Sequence, residues 1–229
     1  MRKLLAQIGQ MDGNPVVLRD SSRQLCKQQL LECCRDLVAV LESCASNMVA
    51  LYGDNSSDWV IADLACQEAN ICLVPIPTFF SQTQINHLFA SLAIDTVIGQ
   101  SSEPFLAIPN IQRGVQQSVF EGRLQLLQVV CSGQGSALPE GTQKITFTSG
   151  STGQPKGVCL SVEQQLLQAA ALADAVALDR PRHLCLLPLS TLLENIAGVY
   201  TPLLCGGEVI IPSLAEIGFQ GSSSLDAEQ

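Results

Sequence analysis

Hydrophobic and polar positions alternate with different periods along the chain, and the first clear period is helical. Apolar side chains recur three and four residues apart, which predicts an amphipathic helix; the stripe consists of Leu30, Cys33, Cys34, Leu37, Leu41 and Cys44. A short β-rich run from Val16 to Arg19 precedes this stripe, and an apolar run from Asn47 to Tyr52 follows it. We therefore expect a strand, a helix and a second, buried strand.

Polar residues then mark the ends of a second helix. Ser56 or Ser57 is placed to cap a helix that begins near Trp59. The helix is expected to end at Asn70, because asparagine tolerates the left-handed position that follows many helices. The apolar run from Ile71 to Ile76 predicts the next strand.

The strongest local signal for a helix is a capping box. Ser81 is followed three residues later by Gln84, and apolar residues follow at helical spacing; these are Ile85, Leu88, Phe89 and Leu92. A helix of about ten residues is predicted here, and the run from Thr96 to Gly99 predicts a strand.

Between Gln100 and Gly141 the pattern is weak. Three runs there are candidate strands, and their order in a sheet is left open: Phe105 to Ile108, Val115 to Phe120, and Leu124 to Cys131. A glycine- and serine-rich connection from Ser132 to Gly141 follows.

The second half returns to alternating strands and helices. A strand from Lys144 to Phe147 leads into a polar, glycine-rich loop, and Ser161 with Gln164 predicts the start of a helix from Val162 to about Leu178. A strand, a helix and a strand are then expected at Leu184 to Leu187, Leu192 to Leu204, and Val209 to Ile211. Nearly all-apolar strands that alternate with helices predict an α/β fold, with a doubly wound, largely parallel sheet and helices on both faces.

Composition narrows the functional classes. Of the 229 residues 47% are hydrophobic and only 14% are charged, and the net charge is −9. That sign disfavours a general nucleic-acid binder. The ten cysteines include no CxxC pair and only two histidines accompany them, which favours buried, reduced thiols over disulfides or structural zinc. The apolar runs are too short or too interrupted for a signal peptide or a membrane span, so a cytoplasmic protein is expected.

One loop carries groups that bind phosphate. From Thr148 to Gly157 the chain contains four hydroxyl side chains, three glycines and the lysine Lys156. Glycines allow backbone N–H groups to approach a phosphate, hydroxyls donate to its oxygens, and an ammonium offsets its charge. The Walker pattern does not fit, since no Ser or Thr follows Lys156. A flexible serine–glycine linker is the alternative interpretation, although its place between a strand and a helix speaks against it.

The ten residues TSGSTGQPKG resemble the phosphate-binding signature of the adenylate-forming (AMP-binding) superfamily, which includes acyl-CoA synthetases, aryl-CoA ligases and peptide-synthetase adenylation domains. The stretch from Ala50 to Phe89 is similar to the N-terminal segment of that family. Leu187 to Ser190, followed by Glu194, resembles a motif of the long-chain acyl-CoA synthetase branch. The resemblance extends from about Pro15 to Ile211, apart from the weakly patterned stretch described above.

The resemblance implies a two-step ligase. A carboxylic acid, expected to be a fatty acid, attacks ATP to give an acyl-adenylate, and a thiol of CoA or phosphopantetheine then displaces AMP; an acyl carrier protein is a conceivable partner. Lys156 offsets one of about four ATP charges, so Mg²⁺ is expected to offset much of the rest. Thr148 and Lys156 are the expected catalytic residues, with Thr148 also at the Mg²⁺ ion. Residues expected to bind the phosphates with them are Ser149, Gly150, Ser151, Thr152 and Gly153.

Two departures from the family bear on these expectations. Members are usually more than twice this length, so residues 1–217 are expected to form the N-terminal α/β portion of an AMP-binding domain, inactive alone in the full reaction and able to self-associate through an uncovered surface, and residues 218–229 a flexible tail. Thr191 stands where the acyl-CoA synthetase branch commonly has a histidine; Thr191 and Glu194 are nevertheless the expected acid-binding residues. A catalytically dead nucleotide-binding or scaffold protein, and an enzyme that adenylates amino or aryl acids, remain as alternatives.

Overall fold

The computed structural model of the protein describes residues 3–109, 111–131, 135, 137–148 and 155–219. The helices in these residues are α1 (Leu4–Ile8), α2 (Lys27–Ser43), α3 (Ser57–Glu68), α4 (Gln82–Ser91), α5 (Glu103–Leu106), α6 (Val162–Val176), a π-helix (Glu194–Tyr200) and α7 (Thr201–Leu204). The strands are β1 (Val16–Asp20), β2 (Gln24–Cys26), β3 (Met48–Tyr52), β4 (Cys72–Ile76), β5 (Thr96–Gly99), β6 (Ile111–Val119), β7 (Leu124–Cys131), β8 (Lys144–Thr148), β9 (Lys156–Leu160), β10 (Arg182–Leu184) and β11 (Glu208–Ile211).

The main sheet has seven strands in the order β6-β7-β5-β3-β4-β8-β9. Its four central strands, β5, β3, β4 and β8, are parallel to one another. Antiparallel strands flank them on both sides, with β7 and β6 at one edge and β9 at the other. The parallel centre agrees with the near-continuous apolar character of these strands, which are buried on both faces.

Two hydrophobic cores lie on opposite faces of this sheet. Successive residues of β3 point to opposite faces, so Val49 and Leu51 enter a core formed with α2, α3 and α6. Met48 and Ala50 enter the second core, beneath α4 and α5. This arrangement confirms the doubly wound α/β fold with helices on both faces.

The terminal strands form a separate sheet that the sequence did not reveal. Its order is β10-β11-β1-β2, with β1 and β10 both parallel to β11. Because β1 lies near the start of the chain and β11 near residue 210, this sheet brings distant segments together. No helix among the described residues combines the length and apolar character needed to cross a membrane.

Local helix signals in the sequence are confirmed. Ser56, Ser81 and Ser161 cap α3, α4 and α6, and the last two complete capping boxes. Asn70 has a φ of 57°, the left-handed conformation expected beyond the end of α3.

Three local predictions were wrong. The candidate strand from Phe105 to Ile108 overlaps helix α5, which begins with Glu103 and has a proline in its first turn. The loop prediction extended through Gly157, whereas Lys156 already begins β9, an antiparallel partner of β8. The strand predicted at Leu184 to Leu187 ends at Leu184 as β10. The helix predicted from Leu192 to Leu204 is present, and its middle part, Glu194–Tyr200, is π-helical before α7.

Candidate functional site

The carboxyl ends of the four parallel strands meet at one edge of the main sheet. These strands end at Gly99, Tyr52, Ile76 and Thr148, from β5 to β8. The connections after β3 and β4 leave towards opposite faces, since α3 packs in one core and α4 in the other. In open α/β sheets this edge is where ligands bind.

A cavity of about 610 Å³ opens at this edge, beside the end of β8. The segment after β4 provides Phe79 and Phe80 to its wall. The β8–β9 hairpin provides Phe147 and Thr148, and the turn after Leu189 provides residues 190–192. The aromatic and aliphatic lining suits an apolar group, while the hydroxyls of Thr148 and Thr191 lie in the same cavity.

Thr148 and Lys156 are paired across the β8–β9 hairpin, at the end nearest the connecting loop. The Thr148 hydroxyl lies 3.5 Å from the Lys156 carbonyl oxygen, and both residues are exposed. The Lys156 ammonium makes no ion pair with any part of the chain that the structure describes. Thr148 and Lys156 therefore stand at the two ends of the predicted phosphate loop. The loop residues between them, Ser149, Gly150, Ser151, Thr152, Gly153 and Gln154, lie outside the described residues.

Thr191 is brought to the same cavity as Thr148 by the turn that follows Pro188. Its hydroxyl donates a 2.7 Å hydrogen bond to the Pro188 carbonyl oxygen, and its own N–H donates to the same atom. The hydroxyl proton of Thr191 is thus used within the turn, and its oxygen offers lone pairs to the cavity. A histidine there would instead offer a ring N–H.

Glu194 lies away from this cavity. Its side chain is buried, with Oε1 2.8 Å from His183 Nε2 and with Oε2 accepting a 3.1 Å hydrogen bond from the Leu187 N–H. Glu194 thereby closes the turn from Leu187 onward, and no pattern in the sequence indicated His183 as its partner.

Potential metal ligands in the described part of the chain form one group. His183, Cys185 and Glu194 place their donor atoms within 4.8 Å of one another. Both Glu194 oxygens already accept hydrogen bonds, and burial together with the Glu194 charge raises the pKa of the Cys185 thiol, which is therefore protonated. We assign no ion to this group.

The donor chemistry at the cavity suits phosphate-bound Mg²⁺ better than a protein-held ion. Among the described residues that line the cavity there is no carboxylate. Thr148 offers one neutral oxygen, and Mg²⁺ in proteins commonly keeps several waters and substrate phosphate oxygens as ligands. Thr148 is thus the described side chain that fits such an ion.

At the other end of β8 from Thr148 lies a buried ion pair that the sequence analysis missed. Lys144, the first residue of β8, and Asp63 of α3 are both fully buried, and Nζ lies 2.7 Å from Asp63 Oδ1. Asn195 and Tyr200 of the π-helix complete the network through bonds to both partners. Burial lowers the pKa of Lys144, and the Asp63 charge opposes that shift. A lysine opening an apolar strand and an aspartate inside an apolar helix were the available signals.

Comparison with known proteins follows this geometry. Residues 6–217 match the family described as AMP-binding enzyme. A substituted octahydro-indenyl propanoyl:CoA ligase from Mycobacterium tuberculosis is 26% identical over 185 residues, which are 72% of this chain and 36% of the relative. The D-alanine--D-alanyl carrier protein ligase of Staphylococcus haemolyticus is 26% identical over 162 residues, covering 68% of this chain and 30% of the relative. The chain thus spans about a third of the length of these curated relatives.

The fold also resembles solved structures. O-succinylbenzoate coenzyme A synthetase from Bacillus subtilis, in complex with ATP and a magnesium ion, superposes with a TM-score of 0.72. The sequence identity is 17%, and the match covers 92% of this chain and 57% of that protein. At this identity the likeness establishes a common fold.

Proposed function

The chain belongs to the AMP-binding enzyme family, and on that premise we propose that it provides the phosphate-binding part of a ligase that activates a carboxylic acid with ATP. In the first step a carboxylate oxygen attacks the α-phosphorus of ATP, pyrophosphate leaves, and an acyl-adenylate forms. In the second step a thiol of CoA or phosphopantetheine attacks the acyl carbon, AMP leaves, and the thiol proton passes to solvent.

One observation carries this proposal. Thr148, which opens the TSGSTGQPKG segment, and Thr191, in the motif similar to that of acyl-CoA synthetases, line one cavity at the carboxyl edge of the sheet. Reacting groups must be held close together for such a reaction, and positioning of this kind supplies a large part of the rate enhancement. Segments 43 residues apart along the chain, from 148 to 191, are adjacent in space as that requires.

The described residues at the loop provide a positive charge and a hydroxyl group for the phosphates of ATP. Lys156 has an exposed ammonium with no ion-pair partner among the described residues, so it is free to approach a phosphate. Thr148 supplies a hydroxyl at the loop entrance, and we assign the loop residues Ser149 to Gly153 to the β- and γ-phosphates. Mg²⁺, when bound with ATP, would supply positive charge at the phosphates. Acyl transfer to a carrier protein is part of the same proposal.

The residues that line the cavity also indicate which class of carboxylic acid it would accept. Phe79, Phe80, Phe147 and Leu192 make an apolar wall, which favours a fatty acid or, because three of the four are aromatic, an aryl acid. An α-amino acid would bring an ammonium group, and the described lining residues offer it no carboxylate. Fatty acids are therefore the first choice and aryl acids the second.

Acid-dependent exchange of radiolabelled pyrophosphate into ATP, measured on the complete ligase of which this chain is proposed to be a part, tests the proposal with panels of fatty, aryl and amino acids. We expect exchange with fatty or aryl acids and little with amino acids. Thr152→Ala should lower the exchange rate at least about tenfold, since removing one donor to developing charge costs about 10²–10³-fold in known cases. Thr142→Ala is the matched control, because the Thr142 hydroxyl donates to the Pro139 carbonyl oxygen within its own turn and Thr142 is not among the described residues that line the cavity. ATP binding without exchange for any acid would favour the nucleotide-binding scaffold instead.

A further inference from the structure

The π-helix that follows the acid-site turn is held by an unusual set of buried polar contacts. Its residues Asn195 and Tyr200 are both almost fully buried, and both bond the same two side chains. Lys144 Nζ donates to Asn195 Oδ1 at 2.6 Å and to the Tyr200 hydroxyl at 3.0 Å. Asp63 Oδ2 accepts from Asn195 Nδ2 at 2.7 Å and from the Tyr200 hydroxyl at 3.0 Å.

These contacts require a π-helix. Asn195 and Tyr200 are five residues apart, and in an α-helix such residues point about 140° away from each other. A π-helix bonds residue i to residue i+5, which places them on one face. The Thr201 N–H donates to the Ile196 carbonyl oxygen, which confirms that bonding pattern at the end of the segment.

A second contact depends on the same register. Gly198 packs directly against the Glu194 carboxylate and the His183 ring, so closely that a Cβ atom at this position would overlap both. A change of register would bring a residue with a side chain to this place. The Glu194 contacts to His183 and Leu187 therefore fit the π-helical register as well.

The register matters to the site because the acid-site turn continues directly into this helix. Thr191 accepts the Asn195 N–H at its carbonyl oxygen, so the turn and the first residues of the π-helix are joined. Lys144 is also the first residue of β8, the strand that ends at Thr148. The buried ion pair thus joins β8 and the π-helix, and both of these segments lead to residues that line the cavity.

We propose that Lys144 and Asp63 are positioning residues that hold Glu194–Tyr200 in π-helical register and thereby set the place of the Ser190–Leu192 turn in the cavity. The part that concerns acid binding rests on the proposed function. Without the ion pair, Asn195 and Tyr200 have no common side-chain partner in the described part of the chain, and the segment relaxes towards an α-helix. An α-helix has fewer residues per turn, so the same seven residues occupy a greater length and displace the turn that carries Thr191.

The test is the double variant Asp63→Leu/Lys144→Met, which removes both charges together. Exchange of a buried ion pair for apolar side chains is often neutral for stability, so the variant is expected to fold. A crystal structure should show the Thr201 N–H bonded to the Ala197 carbonyl oxygen in place of Ile196. In pyrophosphate exchange the KM for the acid should rise at least about tenfold, because even a small displacement of a residue near the reacting groups has a large effect. The KM for ATP should stay within about threefold.

Control and rescue variants separate positioning from general stability. Asp58→Asn removes another buried carboxylate of α3, one that bonds Arg23 and Arg123, and should leave both the π-helix and the acid KM unchanged. Should the double variant not fold, Asn195→Ala, which keeps the ion pair, is expected to change both readouts in the same direction by less.

A π-helix retained in the double variant, or an unchanged acid KM, overturns the proposal. If no acid supports exchange, the proposed function fails, and the hydrogen-bond pattern of the variant alone decides whether the ion pair sets the register.

Discussion

Two lysines at opposite ends of the β8–β9 hairpin have nearly opposite surroundings. Lys144 lies at the base of the hairpin, fully buried, with a carboxylate, an amide and a phenol as partners. Lys156 lies at the loop end, exposed and without an ion-pair partner among the described residues. A buried charge is stable only when its partners are fixed, whereas an exposed one remains available to a ligand.

The comparison shows that residue type alone does not identify a binding residue. The sequence indicates a binding role for Lys156 because of the loop that contains it, whereas nothing in the sequence distinguishes Lys144 from other residues at the start of an apolar strand. The structure gives Lys144 fixed, buried partners and leaves Lys156 exposed, and Lys156 is the lysine that we propose for phosphate. If this division is right, substitution of the two lysines should affect different measurements.

The largest expected effect is on stability at Lys144. Lys144→Met leaves Asp63 buried without its counter-charge, which should lower the free energy of unfolding by about 3–5 kcal/mol. Urea unfolding followed by circular dichroism measures this. The double variant with Asp63→Leu should recover most of the loss. A single variant as stable as the parent protein would show that the buried pair contributes nothing to the fold.

Lys156→Ala should give the reverse result. Its free energy of unfolding should change by less than about 0.5 kcal/mol, because exposed residues outside special contacts rarely contribute more. Acid-dependent pyrophosphate exchange should fall at least about tenfold, since a charge that stabilises the phosphates is removed. Exchange at the parental rate would place Lys156 outside the site, and a large loss of stability would erase the contrast with Lys144.

The smallest expected effect is the pH dependence of stability that arises from Asp20, a partly buried carboxylate. Burial alone would raise the pKa of Asp20, but hydrogen bonds from Ser22 and Ser57 outweigh it and lower the pKa to about 2. A carboxyl group with a lowered pKa stabilises the fold above its unfolded pKa and loses that contribution as pH falls. Stability should therefore decrease between about pH 4 and pH 2, by about 1 kcal/mol after solvent screening.

The measurement for Asp20 is unfolding free energy against pH, compared with Asp20→Asn. The difference between the two proteins should shrink as pH falls through this range. A difference that does not depend on pH would mean that the Asp20 charge makes no net contribution to the fold.

Local signals in the sequence were sufficient for most helices and for the sheet class. Serine caps at residues 56, 81 and 161 act within a few residues, so they can be recognised without tertiary information. Strand β9 was missed because a short, largely exposed edge strand has no apolar pattern of its own. The π-helix was missed because its register depends on Lys144 and Asp63, which are distant in sequence.

The candidate site could be predicted in part. Thr148 and Thr191 were selected from motifs, and the structure brings them to one cavity. Glu194 came from the same motif, yet it is buried against His183, a pairing set by the packing of β10 against the π-helix. Sequence spacing can indicate which segments carry chemistry, but the direction of each side chain depends on contacts between segments.

Protection of Lys156 by nucleotide tests the central claim most directly. Native protein is acetylated with and without MgATP, and the modified lysines are quantified by mass spectrometry. At an ATP concentration ten times the dissociation constant, mass action predicts that Lys156 reacts about tenfold more slowly. Lys3 and Lys27 should react at unchanged rates, and Lys144 should stay unmodified throughout. Lys156 modified equally fast with saturating MgATP would contradict the account.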